Sequence, residues 1–263
     1  MAVAEAVTAG KSLKDTVSAE EWETRVDLAA FYRLVALHGQ DDLAGTHISA
    51  RVPGSDGKHF LLNPYGLLFD EITASSLIKI DFEGNVLSES EYPVNAAGFT
   101  IHSAVLGGRP DVVCAAHTHT VAGMALSAVE GGLRPLTQKH MRFYKRTAYH
   151  PYEGIADDQD ECERLQRDLG DCDAMVLENH GLLTCGRSIR SAWALLYNLE
   201  KCCRVQLEVE ATGAELILPS EELCERTSRE FEAILSRADK PSPLDAWESS
   251  KSLLAKRDPS FMH

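Results

Sequence analysis

From Ala19 to about His38, apolar residues return at helical spacing: Trp22, Val26, Leu28, Ala29, Phe31, Tyr32, Val35 and Leu37. That stripe predicts an amphipathic helix. Ser18 followed by Glu21 reads as a capping box at its start, and Gly39 as its stop. The period then shortens to that of strands at His47–Val52, His59–Leu62 and Leu77–Asp81, with turn signals at 53–57 (PGSDG) and 83–85 (EGN) between them. Ala97–Gly107 is helical again, ended by Gly107-Gly108-Arg109-Pro110. Val112–Ala116 is a short apolar run of the kind a buried strand needs, and it delivers His117-Thr118-His119. A helix over Val121–Val129 follows. A second apolar run, Ala174–Leu177, leads to Asn179-His180-Gly181 and continues over Leu182–Thr184. Helices are expected from Ser188 to about Ala211 and over Glu222–Leu235. The proline-marked tail carries Trp247, Leu253, Leu254 and Phe261. With no repeat or low-complexity linker, the chain reads as one domain, 21–240. A flexible arm, 1–20, precedes it, and a tail, 241–263, could pack on a neighbouring subunit.

With 263 residues, 44% of them apolar, the chain can bury a substantial core. A net charge of −14 argues against nucleic acid as a partner, which demands a basic footprint. One basic stretch stands against that balance, Lys139 to Arg146 (KHMRFYKR). It reads first as a solvated face and second as a place to meet an anionic substrate. No apolar run approaches the roughly 18 residues that cross a bilayer. The first 20 residues lack the apolar core of a signal peptide. The expected location is cytoplasmic, with no membrane partner. Seven scattered cysteines, odd in number and without C-x-x-C, fit reduced buried thiols and exclude a cysteine-built zinc site.

The chemistry concentrates in histidines. His117 and His119 are two residues apart at a strand end, and alternation puts both on one face. Taken alone, an H-x-H pair equally suits surface or hydrogen-bonded core histidines. The apolar strand before it makes a rigid metal platform the sharper reading, with His180 as the natural third ligand. Neutral imidazoles suit zinc and other first-row divalent ions. Three protein ligands with an open position describe a catalytic site better than a structural one.

The ordered set G45-T-H-I-S-A-R51, N63-P-Y-G66, G98-F-T-I-H102, R109-P-D111, H117-T-H119 and N179-H-G181 resembles the class II aldolase/adducin family. The resemblance runs from about Arg25 to Ala211, and the adducin head-domain branch is the nearer match. It implies an α/β fold, a three-layer α/β/α sandwich around a central mixed, largely antiparallel sheet. It also implies a homotetramer with metal sites near subunit interfaces, and zinc held at His117, His119 and His180, with Fe2+ or Mn2+ as other candidates.

The departures from the family pattern bear on function. Where sugar-phosphate aldolases of the family carry an acid, Gly98 stands, and no proton can move there. His47 replaces an asparagine of the phosphate pocket, Tyr65 a threonine beside Gly66, and Ala96 and Ala97 two serines. The candidate substrate contacts are therefore His47, Arg51, Tyr65, Gly66, Ala97 and Gly98. The candidate proton-transfer groups are His47, Tyr65, His102 and His140. Arg51 also reads as a partner in a structural ion pair, Cys202-Cys203 as packing, and Glu178 as an acid pointing away from the metal face. The expected activity is a metal-dependent lyase, cleaving a C–C bond by aldol cleavage or decarboxylation through an enolate. Its substrate would be a small non-phosphorylated carboxylate or carbonyl compound. Two alternatives accompany it: a non-catalytic adducin-like scaffold, and an iron-dependent oxygenase on the same histidines.

Overall fold

Seven strands form one sheet in the order β3-β2-β1-β4-β7-β6-β5. They are β1 (His47–Arg51), β2 (His59–Leu62), β3 (Ile78–Asp81), β4 (Cys114–Thr118), β5 (Thr147–His150), β6 (Ala174–Leu177) and β7 (Gly181–Gly186). Every neighbouring pair is antiparallel except β5–β6, so the sheet is mixed and largely antiparallel, as expected. The computed structural model describes residues 12–154, 159–238 and 246–263. Most of the arm predicted over 1–20 lies outside them, and its last two residues belong to the first helix.

Alternation along the strands sends side chains to two helical layers. Ile48, Ala50, Cys114 and Ala116 face α1 (Ala19–Leu37) and α6 (Ile189–Ala211). Ala115, Met175, Leu177, Leu183 and Cys185 face α2 (Ala96–Gly108) and α5 (Gln159–Leu169). The result is the α/β/α sandwich. Shorter helices α3 (Val121–Ser127) and α4 (Gln138–Met141) pack against α6, and α7 (Glu221–Ala238) lies beside α4.

At the start of α1, the Ser18 hydroxyl accepts the Glu21 amide at 3.1 Å. The Glu21 carboxylate turns to Arg25 at 3.0 Å and Lys79 at 2.7 Å. The tail forms α8 (Ala246–Arg257) and a closing 3-10 turn (Pro259–Met262). Its Trp247, Leu254 and Phe261 are buried with α1 of the same chain. Within the chain these side chains cover apolar surface of α1.

Candidate metal centre

Three elements meet at one end of the sheet. β4 presents His117 on its α2-side face, and the chain leaving β4 presents His119. Thr120 then caps α3: its hydroxyl accepts the Gly123 amide at 3.0 Å and donates to the buried Glu200 carboxylate, which fixes the direction of the chain just beyond His119. The third histidine sits in the three-residue turn between β6 and β7. Asn179 there has φ 55°, a left-handed conformation that asparagine tolerates better than most residues. His180 follows, its amide bonded to the Leu177 carbonyl at 3.0 Å. A Cβ on Gly181 would lie 2.5 Å from the Thr118 carbonyl oxygen, so only glycine lets this turn close against β4. Asn179-His180-Gly181 thus has a local explanation: one residue for the turn, one for the site, one for the close approach.

The imidazoles converge. The His119 Nε2 lies 2.9 Å from the Nε2 of His117 and 2.9 Å from that of His180. Two donors bound at about 2.0–2.1 Å to one ion stand about 3 Å apart, so the spacing fits a shared divalent cation. The outer nitrogens settle the tautomers. His117 Nδ1 lies 3.0 Å from the Leu182 carbonyl, which can only accept, so this nitrogen carries the proton. His119 Nδ1 donates to Asp42 at 3.0 Å. Both Nε2 lone pairs therefore face the common point, with the outer-shell support typical of metal-binding imidazoles. Burial holds the His117 imidazole well below its usual pKa and pulls His180 down to about 4, with neighbouring histidines adding to the effect, so both stay neutral and able to ligate.

His47 pairs with His117 across β1 and β4, and the rings stack with centroids 5.7 Å apart. It is 2% exposed, and neither of its nitrogens has a protein partner. Burial first, then the charges of His119 and His180, hold its pKa down at about 3. Beneath it lies Gly98 in the first turn of α2, where a Cβ would stand 2.5 Å from His47 Cδ2. His102, one turn further on, bonds the Ser49 hydroxyl through Nδ1, while its buried Nε2 has no partner. Asn63 is buried and bonds the Tyr32 hydroxyl at 2.9 Å, and the Tyr65 amide bonds the Pro93 carbonyl at 2.9 Å. These bonds tie the 63–66 loop to α1 on one side and to the segment entering α2 on the other, and leave Tyr65 half-exposed and Gly66 against Tyr92. The side chain of Ala97 lies outside the described residues.

Two predicted site residues are used elsewhere. Arg51 is at the far end of β1, about 13 Å from His47 at strand rise. Its guanidinium donates to the carbonyls of Val112, Gly57, Leu106 and Arg109. The group clamps four backbone acceptors. His140 is held by the Thr137 hydroxyl at 2.7 Å, at the start of its own helix, and by the Cys202 carbonyl at 3.0 Å, which joins α4 to α6. Glu178 is exposed, as its place in the turn predicts.

One pair escaped the sequence reading. His150, at the end of β5, is 3% exposed, and its Nδ1 donates to Asp168 of α5 at 2.8 Å. Its buried Nε2 has no protein partner. His150, Tyr152, Glu178 and His180 line one small cavity of about 10 Å³, roughly the room one water needs. Asp42 was missed too, since it stands on a loop 77 residues from the histidine it supports.

The sequence profile of the class II aldolase and adducin N-terminal domain matches residues 26–207. A Pseudomonas aeruginosa protein named only by its class, aldolase class 2, is 55% identical over 201 residues, which are 76% of this chain and 77% of that one. Rat alpha-adducin is 41% identical over 192 residues, 72% of this chain and 26% of the adducin. Among solved structures, an aldolase II superfamily protein from Pseudomonas syringae superimposes with a TM-score of 0.88 at 42% identity, covering 96% of this chain and all of that one. The L-fuculose 1-phosphate aldolase from Glaciozyma antarctica PI12 gives 0.78 at 31% identity, covering 90% of this chain and 92% of that one.

Proposed function

The chain belongs to the class II aldolase and adducin family, and from that premise we propose that it is a divalent-metal-dependent lyase acting on a small, non-phosphorylated carbonyl or carboxylate compound. The observation that carries this reading is the meeting of three imidazole Nε2 atoms, two of them aimed by outer hydrogen bonds. A divalent cation there, zinc by the all-nitrogen donor set, would supply Lewis acidity toward a carbonyl or carboxylate oxygen.

The protein's own groups divide the remaining work. The start of α2 holds no acid, and His47 occupies the room one would need. His47 is buried and neutral, with two unpartnered nitrogens, and is suited to hydrogen-bond a substrate oxygen. Proton abstraction falls to His150, which would return that proton later in the cycle. Asp168 holds the proton on Nδ1, which leaves the Nε2 lone pair toward the cavity shared with His180. His102, fixed by Ser49, is a positioning residue beneath His47.

Exposed Leu43 and Val121 stand within two residues of Asp42 and His119 in the chain, and the exposed Tyr152 ring lies 6.1 Å from that of His180, so all three border the centre. An apolar rim of this kind supports a homotetramer whose subunits meet near the metal. Seven free cysteines, five of them buried, suit a reducing, cytoplasmic compartment. No helix among the described residues is long and apolar enough to cross a membrane.

The test is turnover by zinc-loaded protein against a panel of hydroxy- and keto-carboxylic acids, reading aldehyde or CO2 release. Release that His117→Ala abolishes, and that His150→Gln slows by about 100-fold, supports the lyase. The identity to alpha-adducin favours a second reading, a non-catalytic scaffold. Full metal occupancy with no turnover of any compound supports that instead. Native iron with oxygen consumption would redirect the site to oxygenation.

A further inference from the structure

The basic stretch from Lys139 to Arg146 takes no part in the histidine centre. Its second half, Arg142 to Arg146, lines a cleft of about 630 Å³ bounded by the start of β6, the end of β7 and helix α7. β6 runs from this cleft toward the His180 turn and β7 returns, so roughly 15 Å of strand separates the two places. They share no residue.

Arg142 lies in the wall of the cleft and is only 9% exposed. Its Nη1 donates to the Ala194 carbonyl at 3.2 Å, while Nε and Nη2 have no partner. Those two N–H groups form one edge of the planar guanidinium, the edge that takes a carboxylate or phosphate through two parallel bonds. Other cations of the wall have acids of their own: Lys145 has Glu225 at 2.6 Å, and Arg146 has Glu232 at 2.6 Å. Asp173, which also lines the cleft, pairs with Arg109 at 3.4 Å. Asp173 acts on Arg142 only through space, without bonding to it; a buried cation with no bonded acid is destabilising, and burial draws the Arg142 pKa down to about 10. Buried polar groups left unsatisfied by the protein point to a bound water or ion. The volume suits a small metabolite, and Phe143 and Leu195 add apolar wall.

We propose that this cleft is a second binding site, separate from the histidines, for a small organic anion whose carboxylate or phosphate docks on the Nε–Nη2 edge of Arg142. The site goes beyond the lyase reading and does not depend on it.

Calorimetric titration of metal-stripped protein with phenyl phosphate, benzoate and inorganic phosphate tests it. Phenyl phosphate or benzoate should bind with a Kd below about 1 mM. Inorganic phosphate should bind more weakly, since it leaves the apolar wall unused. Arg142→Met should weaken binding at least tenfold, and without ligand should melt no lower than wild type, having lost an unpaired buried charge. Arg142→Lys keeps the charge but not the fork, and should also bind at least tenfold more weakly. It stands in if Arg142→Met does not fold. His119→Ala should bind as wild type does. No binding of any probe up to about 10 mM, or undiminished binding by the Arg142 variants, would overturn the proposal. So would loss of binding in His119→Ala, which would put the anion at the histidine centre.

Discussion

Gly98 and His47 look like two unrelated departures from a family pattern when read along the chain, yet in space they are one arrangement. The imidazole fills the volume that any side chain at 98 would claim, with a Cβ there only 2.5 Å from the ring. Gly98→Ala should therefore destabilise the protein by about 1–3 kcal/mol in urea denaturation. His47→Asn in the same chain should recover most of that loss. Additive costs in the double variant would mean that the two positions are independent. Acidity provides a second expectation for the same residue. The His47 pKa is lowered by burial to about 3, and that of His117 well below 6.5, while the unfolded chain titrates near the ordinary value. Below about pH 6.5 the unfolded state binds more protons, so stability falls as pH falls through that window toward the folded pKa. The slope is up to about 1.4 kcal/mol per pH unit for each such histidine. The urea midpoint of metal-free protein should drop between pH 7 and 5, and His47→Asn should flatten the decline. A midpoint constant over that range in wild type would contradict the assignment of buried neutral histidines.

Elements announced themselves in the sequence in proportion to their apolar content. α1, α2, α6, β4 and β6 carry dense stripes or runs, and each was legible to within a residue or two. β5 was not, because in Thr147-Ala148-Tyr149-His150 only Ala148 and His150 turn inward. Nor was α5, whose apolar face rests on Cys162, Leu165 and Leu169 amid charge. Missing those two elements meant missing His150 and Asp168, which meet only because α5 packs on β5. The three clustered histidines were readable for the opposite reason: each lies beside an apolar strand with its turn residues in plain sight. The sequence names Arg51 and His140 as donors but not the backbone carbonyls that they meet in the fold. At the C-terminus the aromatic residues were noticed but not their destination. Trp247 is 3% exposed within the core that includes α1, so Trp247→Ala should cost about 3–5 kcal/mol in a calorimetric melt. A loss under about 0.5 kcal/mol would mean that the tail is only loosely docked.

The molecule is a rigid sheet with chemistry at its ends. At one end, β4, the link to α3 and the β6–β7 turn bring together three side chains that are far apart in the chain, and no one of these elements makes a site alone. The other end of β6 and β7 opens on the arginine cleft. The lyase reading rests first on the three imidazoles sharing one ion. X-ray absorption spectroscopy of zinc-loaded protein tests that most directly. The account predicts one zinc per chain with three imidazole nitrogens and one oxygen ligand at about 2.0–2.1 Å, and no stoichiometric zinc in His117→Ala or His119→Ala. Zinc bound with fewer than three imidazoles, or held undiminished by either variant, would contradict it.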